Sequence, residues 1–280
     1  MATYVTSDAH GHVRALDEAL SKASLSADDT VYVLGDMIDR GPDPLGVVRL
    51  VRSLPNVHVI MGNHERLMLD ALLGTDQVDI DTWDMNGGWA TAPQLDALPH
   101  DEFVDFIDWV QNLPLFDAVE VSARRYLLVH AGIDPKAAQA YLASAGIDVA
   151  AGHSADEASM ETLLGMLAQQ KPDDLLWIRG PFWGEPTGLV DASGAGPVVI
   201  AGHTPSISLN RYALGMGNTG LDEVAAHGII VPVGSSAETG GIPDRLDIDC
   251  SAATGSEFGA VGVLRLDDGA SFYAKVRAGE

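Results

Sequence analysis

Along the first third of the chain the apolar positions switch between two periods. "TYVTS" (3–7) is a short β-rich run, and "VRALDEALSKA" (13–23) spaces its apolar residues as a helix does. "TVYVLG" (30–35) and "VHVIMG" (57–62) read as the next strands, and "DPLGVVRLVRSL" (43–54) and "ERLMLDALL" (65–73) as the next helices. The order βαβαβα predicts a right-handed parallel arrangement. Residues 79–113 read as mostly helical, followed by a strand pair, "LFDAVEV" and "RRYLLVHAG". Helical patterns return over 135–170, and strands dominate from Val198 onward in "PVVIAGH", "LDIDC", "GAVGVLRL" and "SFYAKVR". Residues 215–244 are rich in Gly and Ser and read as an insertion within a single domain spanning 1–280.

Polar residues recur at one place in this pattern, the carboxyl end of each strand. Asp8 and His10 follow the first strand, Asp36, Asp39 and Arg40 the second, and Asn63, His64 and Glu65 the third. Asp8 to Asp36 is 28 residues and Asp36 to Asn63 is 27, each about one βα unit. The three loops therefore emerge side by side on the sheet edge where open α/β sheets carry their sites. His130 in "LLVHAG" and His203 in "VVIAGHT" stand at later strand ends.

These side chains suit metal ions. Two aspartates, an asparagine and three histidines form a mixed oxygen and nitrogen set fitting manganese, iron or zinc. Six ligands exceed the need of one ion that keeps open positions, but they suit two ions sharing a bridging carboxylate. Asp36, in the central loop, is the natural bridge. Asp8 and His10 complete one ion, and Asn63, His130 and His203 the other. A water between the ions is then acidified toward hydroxide and aimed at phosphorus for direct in-line attack. His64, held by Asp39, fits a general acid for the leaving group, and the Arg40 fork fits phosphate oxygens.

The motifs "DAHG", "GDMIDRGP", "GNHE", "HAG" and "GHTP", in this order and spacing, resemble the calcineurin-like metallophosphoesterases. More narrowly they resemble the bacterial and phage form of the serine/threonine phosphoprotein phosphatases, over roughly residues 3–205. The resemblance implies an α/β fold, a four-layer αββα sandwich of two mixed sheets flanked by helices. It implies a dinuclear, most often manganese-dependent, phosphoric monoester hydrolase acting on phosphoproteins (serine/threonine or dual-specificity) or small phosphoesters. "DRG" and the glutamate of "GNHE" favour this reading over the related symmetrical dinucleoside tetraphosphatases, which typically lack that second aspartate and carry aspartate in place of Glu65. Dinucleoside polyphosphate hydrolysis is the alternative, and a catalytically silent phosphoprotein-binding module the rival from another class. "NGGW" (86–89) and "LLWIRGPF" (175–182) also fit the bacterial branch, the second supplying Arg179 as another phosphate-binding arginine. The family's Asp-Thr-Gly strand has its nearest match in "DIDCSAATG", which leaves the register around Cys250 open.

Several residues keep two readings. His12 serves the helix N-terminus or the ligands behind the site, or else contacts substrate. Glu65 hydrogen-bonds within the site or simply opens its helix favourably. His58 reads as structural, and His100, His153 and His227 as solvent-facing.

Composition narrows the setting. The 280 residues are 46% hydrophobic, enough to bury a sizeable core. Forty acids against 16 bases give a formal charge of −24, a field that repels nucleic acid and anionic membranes. No apolar run approaches the ~20 residues that span a bilayer. The N-terminus lacks the basic and apolar segments of a secretory signal, and the single cysteine excludes an internal disulfide framework, so the expected address is cytoplasmic.

Overall fold

A computed structural model describes residues 1–213 and 227–280. Ten strands form two five-stranded sheets among the described residues: β1 (Thr3–Thr6), β2 (Thr30–Val33), β3 (Val57–Val59), β4 (Phe116–Val121), β5 (Arg124–Val129), β6 (Val198–Ala201), β7 (Val231–Val233), β8 (Arg245–Asp247), β9 (Ala260–Arg265) and β10 (Ser271–Lys275). The first sheet has the order β10-β9-β1-β2-β3 and the second β4-β5-β6-β8-β7. β1, β2 and β3 run parallel, as the βαβαβα pattern predicts, and β9 and β10 add on antiparallel. In the second sheet β5, β6 and β8 are parallel, while β4 and β7 are antiparallel edges. Both sheets are therefore mixed.

Helices α1 (Val13–Ala23), α2 (Pro44–Ser53), α3 (Asn63–Leu73), α4 (Gln77–Met85), α5 (Ala92–Asp96) and α6 (His100–Gln111) follow the first three strands. Helices α7 (Pro135–Ser144), α8 (Met160–Ala168), α9 (Pro172–Trp177) and α10 (Gly180–Gly184) lie between β5 and β6. Side chains alternate faces along a strand, and here both faces are apolar. Tyr4, Val31 and Val33 pack outward with the residues of α1 to α6, while Val5, Tyr32 and Leu34 point toward the second sheet. Leu127, Val129 and Val199 likewise pack outward with α7 to α10, while Leu128 and Ile200 meet the first sheet. Three apolar layers thus hold four layers of structure, α-β-β-α, as expected. Among the described residues no helix is long and apolar enough to cross a membrane.

The β4–β5 hairpin turns at Ser122 and Ala123, both with positive φ (52° and 65°), the pair of values a two-residue hairpin turn requires. The stretch expected as an insertion divides. Residues 215–226 lie outside the described residues, whereas β7 sits within the remainder and pairs with β8. Its Pro232 and the surrounding glycines hide a strand from periodicity, and proline is tolerated here because β7 is an edge.

One buried ion pair ties the second sheet to its helices. Arg245 is fully buried, and its Nε donates to Asp244 Oδ1 at 2.8 Å. Its Nη1 donates to the carbonyls of Phe182 and Glu185. Asp244 Oδ2 accepts from both the N–H (2.7 Å) and the hydroxyl (2.8 Å) of Thr187. Removing one partner strands a buried charge. Asp244→Leu is expected to lower the unfolding free energy in denaturant by about 3–5 kcal/mol, and Thr187→Val by about 1 kcal/mol.

Candidate metal centre

All six expected ligands, and the Asp39–His64 pair, come together at the carboxyl ends of β1, β2, β3, β5 and β6. Each is at most 5% exposed. The backbone is unusual at these strand ends. Asp8 (φ 52°), His10 (42°), Asp36 (51°), Asp39 (70°), Arg40 (66°) and His203 (65°) all occupy the left-handed region. For residues other than glycine this is strained, and it persists only where the surroundings over-determine it.

The surroundings are main-chain bonds between loops. Asp8 N–H donates to Gly35 O (3.1 Å), His10 N–H to Asp36 O (3.0 Å) and Gly11 N–H to Met37 O (2.9 Å), extending the β1–β2 pairing past the strands. Gly41 N–H returns to His10 O (3.0 Å), and Gly202 N–H donates to His130 O (2.7 Å). Glu65 laces the second and third loops. Its carboxylate accepts from Asp36 N–H (2.8 Å), Met37 N–H (2.9 Å) and Gly62 N–H (2.9 Å). It therefore serves both readings left open by the sequence, standing in the first turn of α3 and binding within the site. The loops approach so closely that a Cβ on Gly62 would lie 2.2 Å from Asp36 Oδ1, and one on Gly202 2.0 Å from Asp8 Oδ2.

The donor atoms form two groups that share Asp36. In the first, His10 Nε2 lies 3.5 Å from Asp36 Oδ2 and 4.0 Å from Asp8 Oδ1. In the second, His130 Nε2 lies 3.5 Å from Asp36 Oδ1 and 2.9 Å from Asn63 Oδ1, and His203 Nδ1 lies 2.8 Å from the same Asn63 oxygen. His10 Nδ1 faces Ile38 O at 3.0 Å and His130 Nδ1 faces Leu34 O at 2.7 Å. A carbonyl only accepts, so each ring carries its proton on Nδ1 and presents a bare Nε2 lone pair to the centre. His130 Nε2 thus turns its lone pair toward Asn63 Oδ1, and His10 Nε2 turns its own toward the Asp36 carboxyl. Burial, the largest cause, holds His10, His203 and His130 below the ordinary histidine range, the last at about 4, and pushes Asp8 and Asp36 well up. Burial thus opposes charge on the rings and on the carboxyls alike, and the mixed oxygen and nitrogen set suits divalent ions, which would favour the ionised carboxylates. These residues could hold two.

His64 shares the cluster of His10 and Asp36, with its Nε2 3.9 Å from Asp36 Oδ2 and its ring 4.7 Å from that of His10. Its Nδ1 donates to Asp39 Oδ2 at 2.7 Å, and its Nε2 accepts from Arg40 at 2.9 Å. Asp39 is fully buried and also accepts from Trp83 Nε1 (3.0 Å) and Thr91 Oγ1 (2.5 Å). Burial raises its carboxyl to about 7 against the opposing pull of Thr91, Trp83 and Arg40. Arg40 Nε donates to Asn86 O at 3.2 Å, which fixes the guanidinium over the first group. Arg179 lies beside the second, with Nη2 donating to His203 O at 3.4 Å. His12 takes the N-terminal cap position of α1, where its side chain makes no capping bond and its buried Nδ1 is left without a partner.

Sequence reasoning missed Trp83 and Thr91, which carry no local signal because they reach Asp39 from 44 and 52 residues away. It also missed Asp249, a buried carboxylate raised to about 6 by burial, whose charge helps to raise Asp8. Within the stretch whose register the sequence leaves open, Ser251 adopts φ 65°, the conformation glycine favours. Because Glu65 orients the loops that aim Asp36 and Asn63, Glu65→Ala is expected to weaken manganese binding by about 10–100-fold in calorimetry.

The symmetrical bis(5'-nucleosyl)-tetraphosphatase of Pasteurella multocida is 31% identical over 138 residues, 48% of this chain and 46% of that protein. The enzyme of the same name from Paracidovorax citrulli is 34% identical over 137 residues, 48% and 45% of the two chains. The chain spans about half the length of the curated relatives it matches. A solved structure provisionally described as a diadenosine tetraphosphatase aligns with a TM-score of 0.55 at 17% identity, over 99% of this chain and 94% of that one, which shows a shared fold. Residues 1–228 match the calcineurin-like phosphoesterase family, and this chain belongs to it.

Proposed function

We propose that the protein is a dinuclear, metal-dependent phosphohydrolase that splits dinucleoside polyphosphates. The two donor groups sharing Asp36 carry the hydrolytic part of the reading. The names of the curated relatives carry the substrate, and they move the dinucleotide reading ahead of the protein phosphatase favoured by "DRG" and "GNHE". Asp8, His10 and Asp36 would hold one ion, and Asp36, Asn63, His130 and His203 the other. When bound, the ions would acidify water for attack on phosphorus and neutralise charge on the phosphoryl oxygens.

The protein's own groups then bind and orient. Arg40 and Arg179, one beside each donor group, hold phosphate oxygens. A phosphate that draws the Arg40 fork away from His64 Nε2 removes a cation from that nitrogen and adds negative charge beside it. Both changes favour a proton on Nε2, with the Nδ1–H fixed by Asp39. His64 is then placed to protonate the leaving oxygen.

That same pair favours a second reading, the phosphorylated protein side chain. An alkoxide is a poor leaving group and needs a proton more than a nucleotide phosphate does. A substrate panel separates the two. With manganese restored to metal-stripped enzyme, diadenosine tetraphosphate is expected to be cleaved to ADP faster than a phosphoserine peptide is dephosphorylated. The reverse order selects the second reading. His64→Asn is expected to cut the rate on alkyl phosphates by about 10²–10⁴-fold and the rate on p-nitrophenyl phosphate far less. Equal losses on both would remove the acid role.

A further inference from the structure

The chain has five tryptophans. Trp83 and Trp183 are buried, and Trp109 packs against the first core with Arg52 over its ring. The other two are open, Trp89 at 61% and Trp177 at 37%. An isolated exposed tryptophan needs no explanation. These two, however, lie in segments tied to the candidate centre, each beside one of its arginines.

Trp89 lies in the single turn Gly88–Ala90, and the backbone on either side is bolted to the phosphate-binding and acid groups. Before it, the carbonyls of Asn86 and Gly87 accept from Arg40 Nε and from Arg40 N–H, both at 3.2 Å. After it, Thr91 Oγ1 donates to Asp39. Trp83 supports the turn from below, where a Cβ on Gly88 would lie 2.6 Å from its ring. The turn is fixed on both flanks while the Trp89 ring remains in water.

Trp177 ends α9, and its ring stands edge-on to His203 at 5.7 Å and 89°. Arg179, two residues on, donates to the carbonyl of that same histidine. Trp177 thus meets the His130–His203 end, while the turn that carries Trp89 is bonded to Arg40 and Asp39, which both meet His64.

We propose that Trp89 and Trp177 are stacking platforms for the two nucleobases of a dinucleoside polyphosphate whose phosphates lie between Arg40 and Arg179. This rests on the dinucleotide reading above and assigns its specificity residues. The chemistry is complementary. The arginines take the anionic middle of such a molecule, and the rings take its two flat aromatic ends. Stacking on an indole tolerates any base, because every base has a π-face. The site then discriminates for a base at each end and little among bases.

Calorimetry on the manganese-loaded protein tests this with ADP and, as a probe without a base, pyrophosphate. Trp89→Ala and Trp177→Ala are each expected to weaken ADP binding by about tenfold relative to pyrophosphate binding, and Trp→Phe at either position to restore most of it. In steady state the KM for diadenosine tetraphosphate should rise by a similar factor relative to that for p-nitrophenyl phosphate. Equal shifts for ADP and pyrophosphate, or no shift, would overturn the platforms and leave the dinucleotide reading standing if diadenosine tetraphosphate is still cleaved. Tryptophan-dependent ADP binding without cleavage of diadenosine tetraphosphate would keep the platforms and overturn the dinucleotide reading.

Discussion

Bare imidazole lone pairs and carboxyls that resist ionisation converge in the buried space above the strand ends, and the whole arrangement depends on what balances them. Asp36 meets His10 through one oxygen and His130 through the other, each at 3.5 Å. Asn63 Oδ1 lies within 3 Å of two imidazole nitrogens. Burial keeps the rings neutral and resists ionisation of the carboxylates. Protons could relieve one contact at a time, whereas a pair of divalent cations relieves all of them together. Such a site suits cations, because the fold brings its donors together in advance.

That cost is visible in the backbone. Six residues of the centre hold positive φ without being glycine, and they do so because bonds between loops leave them no alternative. Glu65 concentrates this function in one side chain by joining the second loop to the third. The close approaches at Gly62 and Gly202 let loops from different strands share one small volume. The strain is supported by the four-layer packing beneath it, where sheet residues are apolar on both faces.

Much of this was legible in the sequence. The 28- and 27-residue intervals from Asp8 to Asp36 to Asn63 placed three loops side by side, because a βα unit has a nearly fixed length. His130 and His203 announced themselves as polar residues at the ends of apolar runs. What escaped lacked a local pattern. Trp83 and Thr91 reach Asp39 through tertiary packing alone. β7 is three residues long, contains Pro232 and sits among glycines, so no alternation exposes it. Asp249 sits in the stretch around Cys250 whose register the sequence left open. Substrate preference was the least legible property, since the motif residues gather around the donor groups and say little about the rest of a substrate.

The account stands or falls on two cations sharing Asp36. Electron paramagnetic resonance of the manganese-reconstituted protein, with metal content measured on the same sample, tests it most directly. A shared carboxylate holds two ions at roughly 3.5–4 Å, close enough for their spins to couple. Two manganese ions per chain with a spin-coupled spectrum that is lost in Asp36→Asn are the predicted result. A single ion per chain, or two ions giving only uncoupled signals, would contradict it.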